Sequence, residues 1–447
     1  MSLAAGRSTT EILSVGEAIG KELSSIGINW YSVPTVNNAT ALTEPLEASG
    51  RFSDDMQAVS RYAAAFIEGS STSGVACCPK VDMTATLQEV YRVNGGPDLD
   101  IEETLRREDV QPLRHAVGTG ALSSLLLTAP FDQVGDVSRA GVSYQKIIQQ
   151  LIRQHLRYEG LLISDCSQTS TEADYCIRHG PLRALLSGSD MVILPSDYDD
   201  QVASIQAIHA AARSSHLPTS ATVEAVERIS SFKAHHIVEP SAPLRSIDLI
   251  DRTQHAALAQ DAYRHSTTTL SITPSPLTDL PATSILLLLT PSVPPLSTLA
   301  LAPGCDPFEP LGRALADFHP RTRHVPYTLS AGLTSTHSAF LDRAAAVILV
   351  LCNPSSAFEE SQEELIAAVQ SQLRIRESTP GAQRVGKVVL AAGDPRDLNQ
   401  PLEGWWEVCC YEYTPGALKA AAEVITGQRT ATGHLPVKLA RYQSGNQ

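Results

Sequence analysis

Apolar residues along the chain alternate between two periods. Residues 11–25 place them at helical spacing, and the run Gly27-Ile28-Asn29-Trp30-Tyr31-Ser32-Val33 that follows reads as a short strand closed by Pro34. The alternation then repeats: helix over 55–70, strand over 74–78, a charged helix over 101–116, strand over 121–129, helix over 144–157, strand over 160–164, helix over 180–187 and strand over 190–194. Near-continuous apolar strands separated by helices are strands buried on both faces, which predicts βα units around a parallel sheet. Helical patterns over 201–215 and 222–235 lead into a polar, proline-bearing stretch over 239–279, where Thr273-Pro274-Ser275-Pro276 and Leu280-Pro281 mark a crossing between domains. A second set follows, with strands over 284–290, 345–352, 387–392 and 407–411 and helices over 310–317, 359–374 and 416–426. The expectation is an α/β protein with one domain over 1–240, a linker over 241–282 and a second α/β domain over 283–447.

The composition narrows the class. A chain of 447 residues, 43% hydrophobic, 18% charged and 5% aromatic, suits two or three globular domains packed on aliphatic side chains. The net charge is −14 and no basic stripe interrupts the scattered acidic residues, which argues against a nucleic-acid partner. The longest apolar stretches, 121–129 and 284–290, fall short of the roughly 20 residues a membrane span needs. Met1 to Leu13 has no apolar core of signal-peptide length, so the expected compartment is the cytoplasm. Eight cysteines, with adjacent pairs at 77-78 and 409-410 and no C-x-x-C, read as reduced and buried. Neither a metal ion nor a cofactor is expected.

No G-x-S-x-G, G-x-x-x-x-G-K-[ST], G-x-G-x-x-G after a strand, or H-E-x-x-H occurs in the chain. In a parallel α/β domain the reactive side chains stand at the C-terminal ends of strands. There the sharpest candidate is Asp165, at the end of Gly160-Leu-Leu-Ile-Ser-Asp165: a charge placed just beyond a buried strand is costly unless a substrate or hydrogen-bond donors meet it. The alternative is a cap for the next helix. Arg51 reads equally as a clamp for a polar ligand and as a surface partner of Asp54 or Asp55, and Lys80 divides the same way. Asp82 and Glu89 read first as solvated carboxylates.

Taken in order, Gly27-Ile-Asn-Trp-Tyr-Ser-Val-Pro-Thr-Val-Asn37, Arg51-Phe52, Gly74-Val75 with Lys80, Gly160-Leu-Leu-Ile-Ser-Asp165 and Leu186-Ser-Gly-Ser-Asp-Met-Val-Ile-Leu-Pro195 resemble the barrel domain of glycoside hydrolase family 3, in its β-N-acetylglucosaminidase branch. Gly393-Asp-Pro-Arg-Asp-Leu398, Cys410-Tyr-Glu-Tyr-Thr-Pro415 and Thr426-Gly-Gln-Arg-Thr-Ala-Thr-Gly-His-Leu-Pro-Val437 are similar to that family's α/β sandwich domain. The resemblance implies removal of terminal β-linked N-acetylglucosamine with retention, Asp165 as the nucleophile, Arg51 and Lys80 binding sugar hydroxyls, and a small carbohydrate as the partner.

The chain also departs from the family pattern. Where that branch reads Lys-His-Phe-Pro-Gly-His-Gly, this chain reads Lys80-Val81-Asp82-Met83-Thr84-Ala85-Thr86; its first histidine is His115, in a helix, and Asn37 stands for an Asp. No residue inherits the acid/base role, a step worth about 10² to 10⁴ in rate, and Asp82 or Glu89, read first as solvated carboxylates, is the alternative acid. A catalytically impaired, sugar-binding relative is therefore the alternative expectation. The resemblance enters at the fourth of eight barrel strands, and five strands cannot close such a barrel. A partner chain that completes it, as in a homo-oligomer covering the sheet edges, an open sheet covered by helices, and a truncated gene product are the three ways out.

Overall fold

A computed structural model of the chain describes residues 1–36, 51–82, 100–120, 122–128, 144–167, 174–237, 250–292, 306–352, 362–399 and 402–439. It divides into two compact units, one formed by Thr9–Ala41 and Asp55–Asp251, the other by Met1–Ser8, Leu42–Asp54 and Arg252–Gln447.

In the first unit the parallel strands neighbour one another in the order of the sequence. β1 (Trp30–Tyr31) pairs with β2 (Ala76–Cys77). Beyond Cys78-Pro79 the same run continues as β3 (Lys80–Asp82), which pairs with β4 (Ser124–Thr128), then β5 (Leu161–Asp165), then β6 (Met191–Ile193). Thr35 bridges to Lys80, so the chain beyond β1 stays beside β3. An order without reversal belongs to a (β/α) barrel rather than to a doubly wound sheet. Among the described residues the arc stops at β1 and β6, as an open sector of a barrel.

The central strands β4 and β5 are covered on both faces, which is why they read as near-continuous apolar runs. Successive side chains alternate across a strand, so Leu125, Leu127, Leu162 and Ser164 share one face and Leu126 and Ile163 the other. On the first side, the helices Thr9–Ser25 and Met56–Ser71 cross so closely that a Cβ at Gly69 would lie 2.0 Å from the Leu13 carbonyl oxygen. Asp55 starts the second of them by accepting from the Gln57 and Ala58 amides. The helix expected over 101–116 is broken into Ile101–Arg106, a 3₁₀ turn Glu108–Val110, and Gln111–Gly118, whose first turn holds Pro112, where a missing N–H costs nothing. The segment Ile147–His155 is a π-helix that buries Ile147, Ile148, Leu151 and Ile152.

On the other face, Leu126, Leu161 and Ile163 form a cluster onto which Trp30, Met191, Ile229 and Phe232 pack. Ile229 and Phe232 come from the helix Thr219–His236, whose Phe232 ring lies 4.9 Å from that of Trp30. Arg228 of this helix binds Asp190, just before β6, so the helix crosses the N-terminal ends of the strands. Among the described residues the strands of this sector lie as an open sheet with helices packed on it.

The second unit is a six-stranded sheet. β7 (Thr268–Thr269) lies antiparallel at one edge; β8 (Leu286–Pro291), β9 (Thr322–Tyr327), β10 (Ala346–Leu351), β11 (Gly386–Ala391) and β12 (Trp406–Cys409) are parallel. From the far edge the order is β9-β8-β10-β11-β12, the flavodoxin-like arrangement. Residues 252–282, inside the expected linker, carry the helix Arg252–Ser266 and β7 and belong to this unit. β7 pairs with β12, and Arg264 clasps Glu423 of the helix Pro415–Ile425. Among the described residues no helix is long and apolar enough to cross a membrane.

Candidate active site

Asp165 is the last residue of β5, at the end of the strands opposite the helix Thr219–His236. Ser164, just before it, is fully buried on the helix-covered face. Its hydroxyl meets Tyr144 Oη at 2.6 Å and Ser189 Oγ at 2.6 Å, which pins the strand end from two directions. Burial holds the Tyr144 phenol far above its usual range, so it serves as a neutral hydrogen-bonding group. The half-buried Asp165 accepts through Oδ1 from the Ser167 amide at 3.0 Å and the Ser167 hydroxyl at 2.5 Å. Oδ2 accepts nothing among the described residues. The next described helix begins only at Asp174, so these bonds form an Asx turn within the loop rather than a cap on that helix. Among the described residues one carboxylate oxygen is thus held and the other meets no donor. Cys166 is no rival nucleophile, because burial, followed by the neighbouring Asp165 charge, pushes its thiol up to about 12.

Strand register places the neighbours. Asp82, Thr128, Asp165 and Ile193 form one row across β3, β4, β5 and β6, and in-register residues of a parallel sheet share a face. Asp82 is the other carboxylate of that row. At about 4.8 Å per strand, its Cα stands about 10 Å from that of Asp165. Lys80, two residues before Asp82, shares the face. Its backbone is held on β1's side by Lys80 N–H to Pro34 O at 2.9 Å and Val36 N–H to Lys80 O at 3.0 Å.

Lys80 and Asp165 thus stand on one sheet. Arg51 belongs to the other unit, where it is 3% exposed and its carbonyl accepts a 2.6 Å bond from the Met1 ammonium. It is therefore not the surface residue that one sequence reading made it. Asn37, Glu89 and residues 129–143 lie outside the described residues. His115 is exposed on the helix Gln111–Gly118. Among the described residues no group of three or more His, Cys, Asp or Glu side chains is arranged to hold a metal ion.

Two features escaped the sequence. One is the Tyr144–Ser164–Ser189 chain behind Asp165. The other is Asp190, whose side chain is 1% exposed and accepts from Arg153, Arg228 and the Leu162 amide at 2.7, 2.9 and 2.9 Å. A carboxylate directly ahead of an apolar strand was the available signal for the second. The tyrosine, some twenty residues from its serine partner, carries no local one.

A parallel sheet sector of barrel order, with a carboxylate ending β5, places the first unit in the (β/α) barrel class. The model of the glycosyl hydrolase family 3 N terminal domain matches residues 1–232, and the chain belongs to that family. Over 252 residues it is 23% identical to a β-N-acetylglucosaminidase/β-glucosidase of Cellulomonas fimi, covering 52% of this chain and 43% of the relative. Over 199 residues it is 25% identical to a β-hexosaminidase A of Pseudoalteromonas piscicida, covering 40% and 32%. The matches thus take in less than half the length of these curated relatives. Among solved structures, a family 3 β-N-acetylglucosaminidase from Paenibacillus sp. str. FPU-7 superposes with a TM-score of 0.76 at 22% identity, over 98% of this chain and 82% of that one. A fungal multi-domain β-N-acetylglucosaminidase gives 0.75 at 20% identity, over 98% and 50%.

Proposed function

We propose that the protein is a glycoside hydrolase that removes terminal β-linked N-acetylglucosamine by a retaining mechanism. Asp165 Oδ2 attacks the anomeric carbon, the aglycone leaves with a proton, and water then releases the sugar from the glycosyl-enzyme. The observation that carries this reading is the carboxylate at the end of β5, anchored through Oδ1 and with no donor to Oδ2 among the described residues. Lys80 supplies a cation on the same face for sugar hydroxyls. Arg51, the other residue matched to sugar binding, is proposed for that role on resemblance alone. Asp82, level with Asp165, is the carboxyl group proposed to protonate the leaving oxygen.

One observation favours a second reading. Among the described residues no histidine stands at the C-terminal end of any strand of the sector, so a sugar-binding protein with impaired chemistry fits as well. Hydrolysis of a chromogenic β-N-acetylglucosaminide by the purified chain separates the two. The enzyme reading expects turnover that Asp165→Ala lowers by at least about 10³-fold; equal rates in the two proteins reject it. Calorimetric binding of N-acetylglucosamine without turnover supports the second reading.

A further inference from the structure

The second unit contains a cleft of about 510 Å³ at the N-terminal ends of β11 and β12. A ligand of an open parallel sheet usually sits at the opposite, C-terminal end, so this cleft is separate from that crevice. Its lining includes Pro274, Glu377, Arg384, Lys387, Trp405 and Trp406. The indole N–H of Trp406 is committed to the Thr273 carbonyl at 2.9 Å, whereas that of Trp405 meets no acceptor among the described residues. Glu377 accepts from the Val385 amide at 3.0 Å and from Lys387 at 2.5 Å. Burial by itself would raise its pKa, but these bonds and the charges of Lys387 and Arg384 outweigh it and hold the carboxyl ionised. That leaves two of the three ammonium donors of Lys387 uncommitted. The exposed Arg384 forms no ion pair or hydrogen bond among the described residues.

Two cations face one carboxylate, so the cleft is locally positive by one charge on a chain whose net charge is −14. Such a balance selects for a monoanion, and a guanidinium fork matches a carboxylate. The volume lies in the range of about 300 to 1,000 Å³ typical of small-molecule sites. Proline and the indole edge add an apolar wall carrying one free donor. For a chain of a carbohydrate-handling family, the ligand with both properties is an acidic sugar.

We propose that this cleft binds a carboxylate-bearing saccharide, with Arg384 and Lys387 meeting the carboxylate and Pro274 and Trp405 the sugar ring. The cleft belongs to the second unit and Asp165 to the first, and the proposed binding does not depend on the chemistry of Asp165.

Calorimetry on the full chain with D-glucuronate, D-glucose and benzoate tests this. Saturable binding of glucuronate at millimolar concentration is expected, with glucose and benzoate each weaker by about ten-fold or more. Arg384→Ala, at an exposed position that leaves the fold intact, is expected to weaken glucuronate binding by about ten-fold. Asp165→Ala leaves that binding unchanged, and glucuronate shifts the indole N–H resonance assigned through Trp405→Phe. No glucuronate binding, or equal binding by Arg384→Ala, overturns the proposal. Benzoate binding as tightly as glucuronate overturns the saccharide assignment, and loss of binding in Asp165→Ala would place the ligand at the other site.

Discussion

Asp165 and Asp190 are two acidic residues at opposite ends of the same sheet sector, and their surroundings give them opposite duties. Among the described residues Asp165 meets donors on one oxygen only, both from Ser167. Asp190 has both oxygens occupied, with Arg153 and the Leu162 amide on Oδ2 and Arg228 on Oδ1. A carboxylate so enclosed is structural, because removing its charge leaves two guanidinium groups partly buried without their counter-ion. Asp190→Asn should therefore lower stability by about 3 kcal/mol, read from urea unfolding of the purified chain, whereas Asp165→Asn should leave the unfolding midpoint within about 0.5 kcal/mol of wild type. Equal losses would show that the two sites were assigned the wrong way round. Sequence reading found Asp165 because a charge closing a buried strand is conspicuous. It placed Asp190 in a motif without a role, since its partners lie 37 and 38 residues away.

At the scale of elements, the strands legible in the sequence are those covered on both faces. β4, β5, β8, β10 and β11 are each built on an apolar run of three or more residues and fall within a few residues of their expected places. β9 was not legible: Thr322-Arg-His-Val-Pro-Tyr327 is mostly polar and holds Pro326, tolerable because the strand lies at the sheet edge. β7 escaped for a related reason, being two threonines paired at the other edge. Helix crossings are set by glycine in a way periodicity does not reveal. Gly16 and Gly20 of the helix Thr9–Ser25 and Gly69 of the helix Met56–Ser71 let the two backbones touch. Gly69→Ala must push the helices apart against the Leu13 carbonyl, and a loss of about 2 kcal/mol is expected. That corresponds to a melting point lower by about 4 to 8 °C for a unit of this size. An unchanged melting point would mean the crossing is looser than the 2.0 Å approach indicates.

At the scale of the whole chain, acid sensitivity has an identifiable contributor. Arg264 grips Glu423 through two 2.9 Å bonds, and these bonds, before any other influence, hold the Glu423 carboxyl below its usual value. A carboxyl whose folded pKa is depressed stabilises the fold above its unfolded pKa of about 4.3 and loses that contribution as pH falls through the folded value. Arg264→Ala should therefore cost about 1 kcal/mol at pH 7 and progressively less below pH 4, and a pH-independent difference between the melting curves would contradict this. Family membership and the barrel order of the strands make Asp165 the centre of the functional account. Its most direct test is mass spectrometry of the chain after reaction with an activated fluorinated N-acetylglucosaminide that forms the glycosyl-enzyme quickly and releases it slowly. The account predicts that the peptide containing Asp165 gains the mass of one fluorinated sugar and that Asp165→Ala gains none; a label on another residue, or turnover without any covalent intermediate, would contradict it.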